Sequence, residues 1–82
     1  MQDNTLLRKD TEKLPIEEIN FLYDMGVLFY NTGKYEESIE CFDKIIEINP
    51  ASKTAFGYKG LSLQKLKRNQ EAIHCYEKAL IY

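Results

Sequence analysis

The side chains best suited to chemistry in this 82-residue chain are two cysteines and a single histidine: Cys41, His74 and Cys75. A metal site needs three or four such ligands converging on one point. Here His74 and Cys75 are neighbours and Cys41 lies 34 residues from Cys75, so packing is the expected role of both thiols. Ser38, Ser52 and Ser62 stand outside any Gly-x-Ser-x-Gly context, and no cysteine is paired with a histidine and an orienting acid. The glycines do not cluster into a phosphate-cradling loop. Glu17-Glu18 and Glu36-Glu37 fall at expected helix starts, where the helix dipole favours negative charge without an active site. No catalytic residue, cofactor or metal is therefore expected. Lys65, Lys67 and Arg68 form a basic cluster that is read either as an anion contact or as a solvated turn.

Charge and hydropathy exclude further classes. The net charge of −2 argues against a nucleic-acid binder, which needs a concentrated basic surface. No apolar run approaches the roughly 18 residues of a membrane span, and Met1–Arg8 lacks the features of a signal peptide. A cytoplasmic setting with both thiols reduced follows as the expectation. The charge is unevenly spread: residues 1–52 balance to −6 and residues 53–82 to +4.

The elements that would carry these residues repeat. At an offset of 34, Gly26 meets Gly60, Glu37 meets Glu71, Ile39 meets Ile73, Cys41 meets Cys75 and Lys44 meets Lys78. Conservative pairs share that offset: Leu22 with Phe56, Phe29 with Leu63, Ser38 with Ala72, Phe42 with Tyr76, and Ile45 with Ala79. Such a period marks a stacked repeat architecture.

Each copy reads as two helices. Ile19, Leu22, Met25, Gly26 and Phe29 recur at three- and four-residue steps, Pro15 suits a first turn, and Gly33 stops the helix. Ile39, Phe42, Ile45, Ile46 and Ile48 are expected to face inward on the next helix, which Asn49-Pro50 ends. Ser52 is the expected N-cap of a third helix bearing Phe56, Gly60, Leu63 and Leu66. Lys67-Arg68-Asn69 turns into a fourth with Ala72, Ile73, Tyr76, Ala79 and Leu80. The expected spans are 16–31, 35–48, 53–66 and 70–81. A mid-helix glycine costs about 1 kcal/mol relative to alanine. Gly26 and Gly60 are therefore read as points where a second helix crosses closely, with Ser38 and Ala72 as its small residues and Phe42 and Tyr76 beside the crossing. Cys41 and Cys75 are expected on parallel second helices roughly 9–10 Å apart, too far for a disulfide.

Leu22, Met25, Gly26, Phe29, Gly33, Tyr35, Ser38, Phe42, Ile45 and Pro50 resemble the defining positions of a tetratricopeptide repeat, and Phe56, Gly60, Leu63, Ala72, Tyr76 and Ala79 those of a second. Three departures are visible: Lys59 for a leucine, Lys67 for the turn glycine and Asn69 for an aromatic. The resemblance implies an all-α fold of two stacked antiparallel helical hairpins, an α-solenoid. Residues 1–14 form an N-terminal extension, partly disordered or a short helix, residues 15–52 the first repeat and residues 53–82 the second.

The same resemblance implies function. In this family the first helix of each repeat lines a concave face across which protein ligands lie. The matching positions are Asn20, Tyr23, Asp24, Val27, Tyr30 and Asn31 in the first copy, and Thr54, Tyr58, Leu61, Gln64 and Lys65 in the second. Members that grip the C-terminal carboxylates of heat-shock chaperones use a lysine and an asparagine where this chain has Tyr23 and Val27, so that ligand is not expected. The expected function is a protein-interaction scaffold that holds a peptide or helix, with no nucleic-acid or membrane partner. Two other readings stand beside it: a homo-oligomeric assembly element, and an accessory repeat domain of a longer protein. Self-association follows from apolar groups on the final helix (Tyr76, Ala79, Leu80, Ile81, Tyr82), covered by another chain or by Leu6, Leu7 and Leu14 folding back.

Overall fold

Pro15 opens the first helix with its fixed φ, and Glu17 and Glu18 occupy the first turn, where the exposed backbone N–H groups favour acids. The computed structural model describes residues 15–81, which form α1 (Pro15–Asn31), α2 (Tyr35–Ile48), α3 (Lys53–Lys65) and α4 (Asn69–Ile81). Each boundary lies within one residue of its expected place, and there is no strand among the described residues. Residues 1–14 and Tyr82, and with them the fold-back of Leu6, Leu7 and Leu14, lie outside the described residues.

The helix ends follow local chemistry. Ser52 caps α3, its hydroxyl accepting from the Ala55 N–H at 3.2 Å. The Asn49 side chain accepts from the Ala51 N–H at 3.2 Å, bending the chain after α2. After α1, Gly33 at φ 82° lets its own N–H reach the Tyr30 carbonyl and the Lys34 N–H reach that of Phe29. After α3, Lys67 at φ 67° supports the same pair of bonds, Lys67 N–H to Gln64 and Arg68 N–H to Leu63. The turn therefore keeps its geometry without glycine, with a side chain in the left-handed region that glycine tolerates best.

α1 pairs with α2 and α3 with α4 as two helical hairpins, and α3 also packs along α2. The backbones of the two second helices, α2 and α4, stay apart among the described residues, and α3 packs against both. The expectation that Cys41 and Cys75 sit on adjacent helices is thus corrected, and both are free buried thiols. One core cluster gathers Phe42, Ile45 and Ala55, with Ile19, Leu22, Val27, Ile46 and Tyr58 around it. The other gathers Ile39, Leu63, Ala72 and Cys75, with Phe56, Leu66 and Tyr76. Ile48, expected inside, is exposed, since it falls in the last turn of α2, beyond the reach of the neighbouring helices. Ile73 is also exposed, although its counterpart Ile39 is buried.

The two glycines mark close crossings. A Cβ at Gly26 would sit 2.6 Å from the Phe42 ring and 3.2 Å from the Cys41 Cβ; at Gly60 it would sit 2.6 Å from the Tyr76 ring. In the first crossing the Ser38 hydroxyl donates to the Gly26 carbonyl at 2.8 Å, and the Ser62 hydroxyl donates to Ser38 at 3.3 Å. Both serines are fully buried, so this short relay joins α3, α2 and α1 through otherwise costly polar groups.

Candidate protein-binding face

The residues expected on the concave face meet around an aromatic floor. The Tyr58 ring stacks on Phe42, with centroids 5.1 Å apart and planes 7° from parallel. Tyr23 meets both rings edge-on, at 6.2 Å from Phe42 and 5.8 Å from Tyr58. Tyr30 meets Tyr58 at 5.9 Å and Tyr35 at 5.6 Å, again edge-on. Such pairs add about 0.5–1.5 kcal/mol each beyond their burial, so α1 and α3 are held with their tyrosines already in place.

Clefts open along this floor. Asn20, Tyr23 and Thr54 border one of about 280 Å³, together with Ile19, Ser52 and Ala55. Tyr30, Leu61, Gln64 and Lys65 border another of about 420 Å³, with Lys67 at its edge. Between them, Thr54, Tyr58 and Leu61 face a cleft of about 430 Å³ that also includes Gly57 and Tyr76. Asp24 and Asn31 are exposed but line none of these three, and Val27 is half-buried against the Phe42 cluster. Eight of the eleven expected residues are thereby gathered and three are not.

Tyr76 is the residue that position matching overlooked. The 34-residue offset equates it with Phe42, whose ring is sealed by Tyr58, so it reads as core. On α4 its ring borders the cleft, and its hydroxyl donates to the Gln64 Oε1 at 2.8 Å, fixing the Gln64 amide. Partial burial pushes the Tyr76 phenol above its ordinary value. The Tyr23 phenol is also pushed up, first by a side-chain hydrogen bond with Tyr58 and then by burial.

The other candidate chemistry is absorbed by packing. Arg68 is held by Glu71, at 2.8 Å from Nη2 and 3.0 Å from Nε, and lies 3.6 Å from Glu36 across the hairpins. The basic turn thus spends its arginine on internal carboxylates. Lys59, the substitute for leucine, reaches Asp43 on α2 at 2.6 Å and ties the second hairpin to the first. Burial pushes the Cys41 and Cys75 thiols up from their ordinary value.

Two antiparallel helical hairpins stacked through α2 and α3 define a helical-repeat module. Tetratricopeptide-repeat models match residues 19–52 and residues 56–80, and the chain belongs to the tetratricopeptide-repeat family. It is 37% identical over 65 residues to an uncharacterised protein of Methanocaldococcus jannaschii, covering 79% of this chain and 76% of that one. It is 34% identical over 56 residues to the peroxisomal targeting signal receptor of Saccharomyces cerevisiae, and 36% over 62 residues to the cell division cycle protein 27 homolog B of Arabidopsis thaliana. Those alignments cover 68% and 76% of this chain but only 9% and 8% of the two larger proteins. Tetratricopeptide repeats are protein-interaction repeats, and this chain carries two of them. No helix among the described residues is long and apolar enough to cross a membrane.

Proposed function

We propose that this chain is a non-catalytic scaffold whose concave face holds an extended peptide or a single helix of a partner protein. The observation that carries this reading is the interlocked set Tyr23, Tyr30 and Tyr58, with clefts opening on either side of it. Preorganised aromatic side chains lose little entropy on binding and combine apolar contact with a hydrogen-bonding tip. Asn20 and Gln64 stand at the two ends, where an amide can pair with the backbone of a peptide laid across the tyrosines. The reading assigns no chemical step, because Ser38, Ser62, Cys41 and Cys75 are all buried in the core. It places the protein in the cytoplasm, where free cysteines persist.

Selection of binding peptides from a displayed random library, followed by NMR titration, tests it. Shifts should concentrate on Asn20, Tyr23, Tyr30, Tyr58 and Gln64, and Tyr58→Ala should weaken a selected peptide by about tenfold or more. An equal loss in His74→Ala, on the opposite side of α4, or shifts confined to that side, would reject the concave face as the binding surface.

A further inference from the structure

The offset that relates the two hairpins also relates the faces they turn outward. Where α3 lies on α2, Ala55 and Ser62 are buried, Ser62 bonds to Ser38, and Lys59 pairs with Asp43. Ile39 and Ile46 on α2 belong to the core clusters this contact completes. Moving the α2 side forward by 34 residues gives Ala72, Ile73, Glu77 and Leu80 on α4; Ile73 is 50% exposed and Leu80 85%. Moving the α3 side back by 34 gives Met25 and Leu28 on α1, with Leu28 52% exposed.

These displaced partners fit one another. The hydrogen-bonded pair Ser62 and Ser38 becomes Leu28 and Ala72, both apolar, so no hydroxyl would be buried without an acceptor. The ionic pair Lys59 and Asp43 becomes Met25 beside Glu77, which is exposed and keeps its carboxylate in water.

We infer that α1 of one copy docks on α4 of a second copy, repeating the contact that α3 makes with α2. Copies then add head to tail through a heterologous contact, which is open-ended rather than closed. The tyrosine floor lies on α1 and α3, away from this contact, and successive copies would extend the concave face. The inference stands independently of the peptide-binding reading.

Sedimentation equilibrium with two blocked variants tests it. Wild-type protein at about 100 μM should show an average mass rising with concentration past twice the 9.6 kDa chain. Leu28→Asp blocks one end and Leu80→Asp the other, and each variant alone should stay at 9.6 kDa. Mixed in equal amounts they should form a dimer and nothing larger, because one sound face of each kind remains. Circular dichroism checks that each variant is helical, and Leu28→Gln replaces Leu28→Asp if it is not. A wild-type monomer at that concentration overturns the inference. So does a wild-type dimer that grows no further, a mixture that fails to associate, or a blocked variant that still assembles alone.

Discussion

The first hairpin closes its crossing with a hydroxyl and a fully buried ring; the second closes the same crossing with a methyl group and a half-exposed phenol. In the first, Ser38 bonds to the Gly26 carbonyl and Phe42 lies beneath Tyr58. In the second, Ala72 has no hydroxyl to offer, and Tyr76 packs on the core cluster from one side while its hydroxyl is held by Gln64. The turns differ as well, with Gly33 in one and Lys67 in the other at nearly the same positive φ. The backbone path is shared although the side chains differ, so the path is set by the glycine, the ring that covers it and the turn's hydrogen bonds. How firmly each hairpin resists change is set by what holds the ring.

The comparison breaks most readily at the glycines. Gly26→Leu should cost about 3 kcal/mol or more, since its Cβ alone meets Phe42 at 2.6 Å and that ring has nowhere to go. Gly26→Ala should remain clearly destabilising, whereas Gly60→Ala should cost about 1 kcal/mol or less. Tyr76 can swing outward, and alanine recovers about 1 kcal/mol of helix propensity. Urea midpoints measure both, with Lys34→Leu on the exposed turn as a control expected to cost under about 1 kcal/mol. Equal losses at the two glycines would mean that burial of the ring does not control the crossing.

A smaller effect concerns the relay of hydroxyls. Ser38→Ala leaves the Gly26 carbonyl without its donor and Ser62 without its acceptor, and should cost about 1–3 kcal/mol. Adding Ser62→Ala should then cost less than it does in the wild-type background, the sign of a shared network. Strict additivity in that double-mutant cycle would show the relay to be incidental.

The turns offer a reciprocal exchange. Lys67→Gly should stabilise the protein by about 0.5–1 kcal/mol by relieving a left-handed side chain, and Gly33→Lys should destabilise it by a similar amount. Thermal unfolding of the two variants and of the double exchange gives the comparison directly. The smallest expected effect is electrostatic. The hydrogen bond from Arg68 holds the Glu71 carboxyl below its ordinary value, so its contribution is present above the ordinary carboxylate range and fades as pH falls through the lowered one. Glu71→Gln should therefore be slightly less stable than wild type at neutral pH and indistinguishable from it in strong acid. Because both groups face solvent, the difference should shrink in salt.

Much of this was open to reading from residue order. Gly26 and Gly60 at matching places, each followed sixteen residues later by a large ring, announce a close crossing before any coordinates exist. Ser52 announces its cap, and the positions of Tyr23, Tyr30 and Tyr58 place them on one face of their helices. Other features were hidden for physical reasons. A serine at position 62 reads as neutral, and only the meeting of three helices makes its hydroxyl a link to Ser38. Lys59 reads as a defect in an apolar stripe until Asp43 stands 2.6 Å away on another helix. Tyr76 reads as core because its counterpart Phe42 is core, although among the described residues only its own hairpin partner α3 packs on it, whereas Phe42 is also covered by Tyr58 of the next hairpin.

Residue order alone determined the helices, their ends and the 34-residue repeat, because each depends on contacts within about four residues or on self-similarity along the chain. Tertiary structure decided which equivalent positions are buried. Ile39 and Ile73 are the same residue on the same helical face, yet one is 8% exposed and the other 50%. The difference is α3, which packs on α2 and leaves the outer face of α4 to solvent. Burial belongs to the neighbours a residue meets rather than to the residue itself, and in a stacked repeat those neighbours come from the next unit.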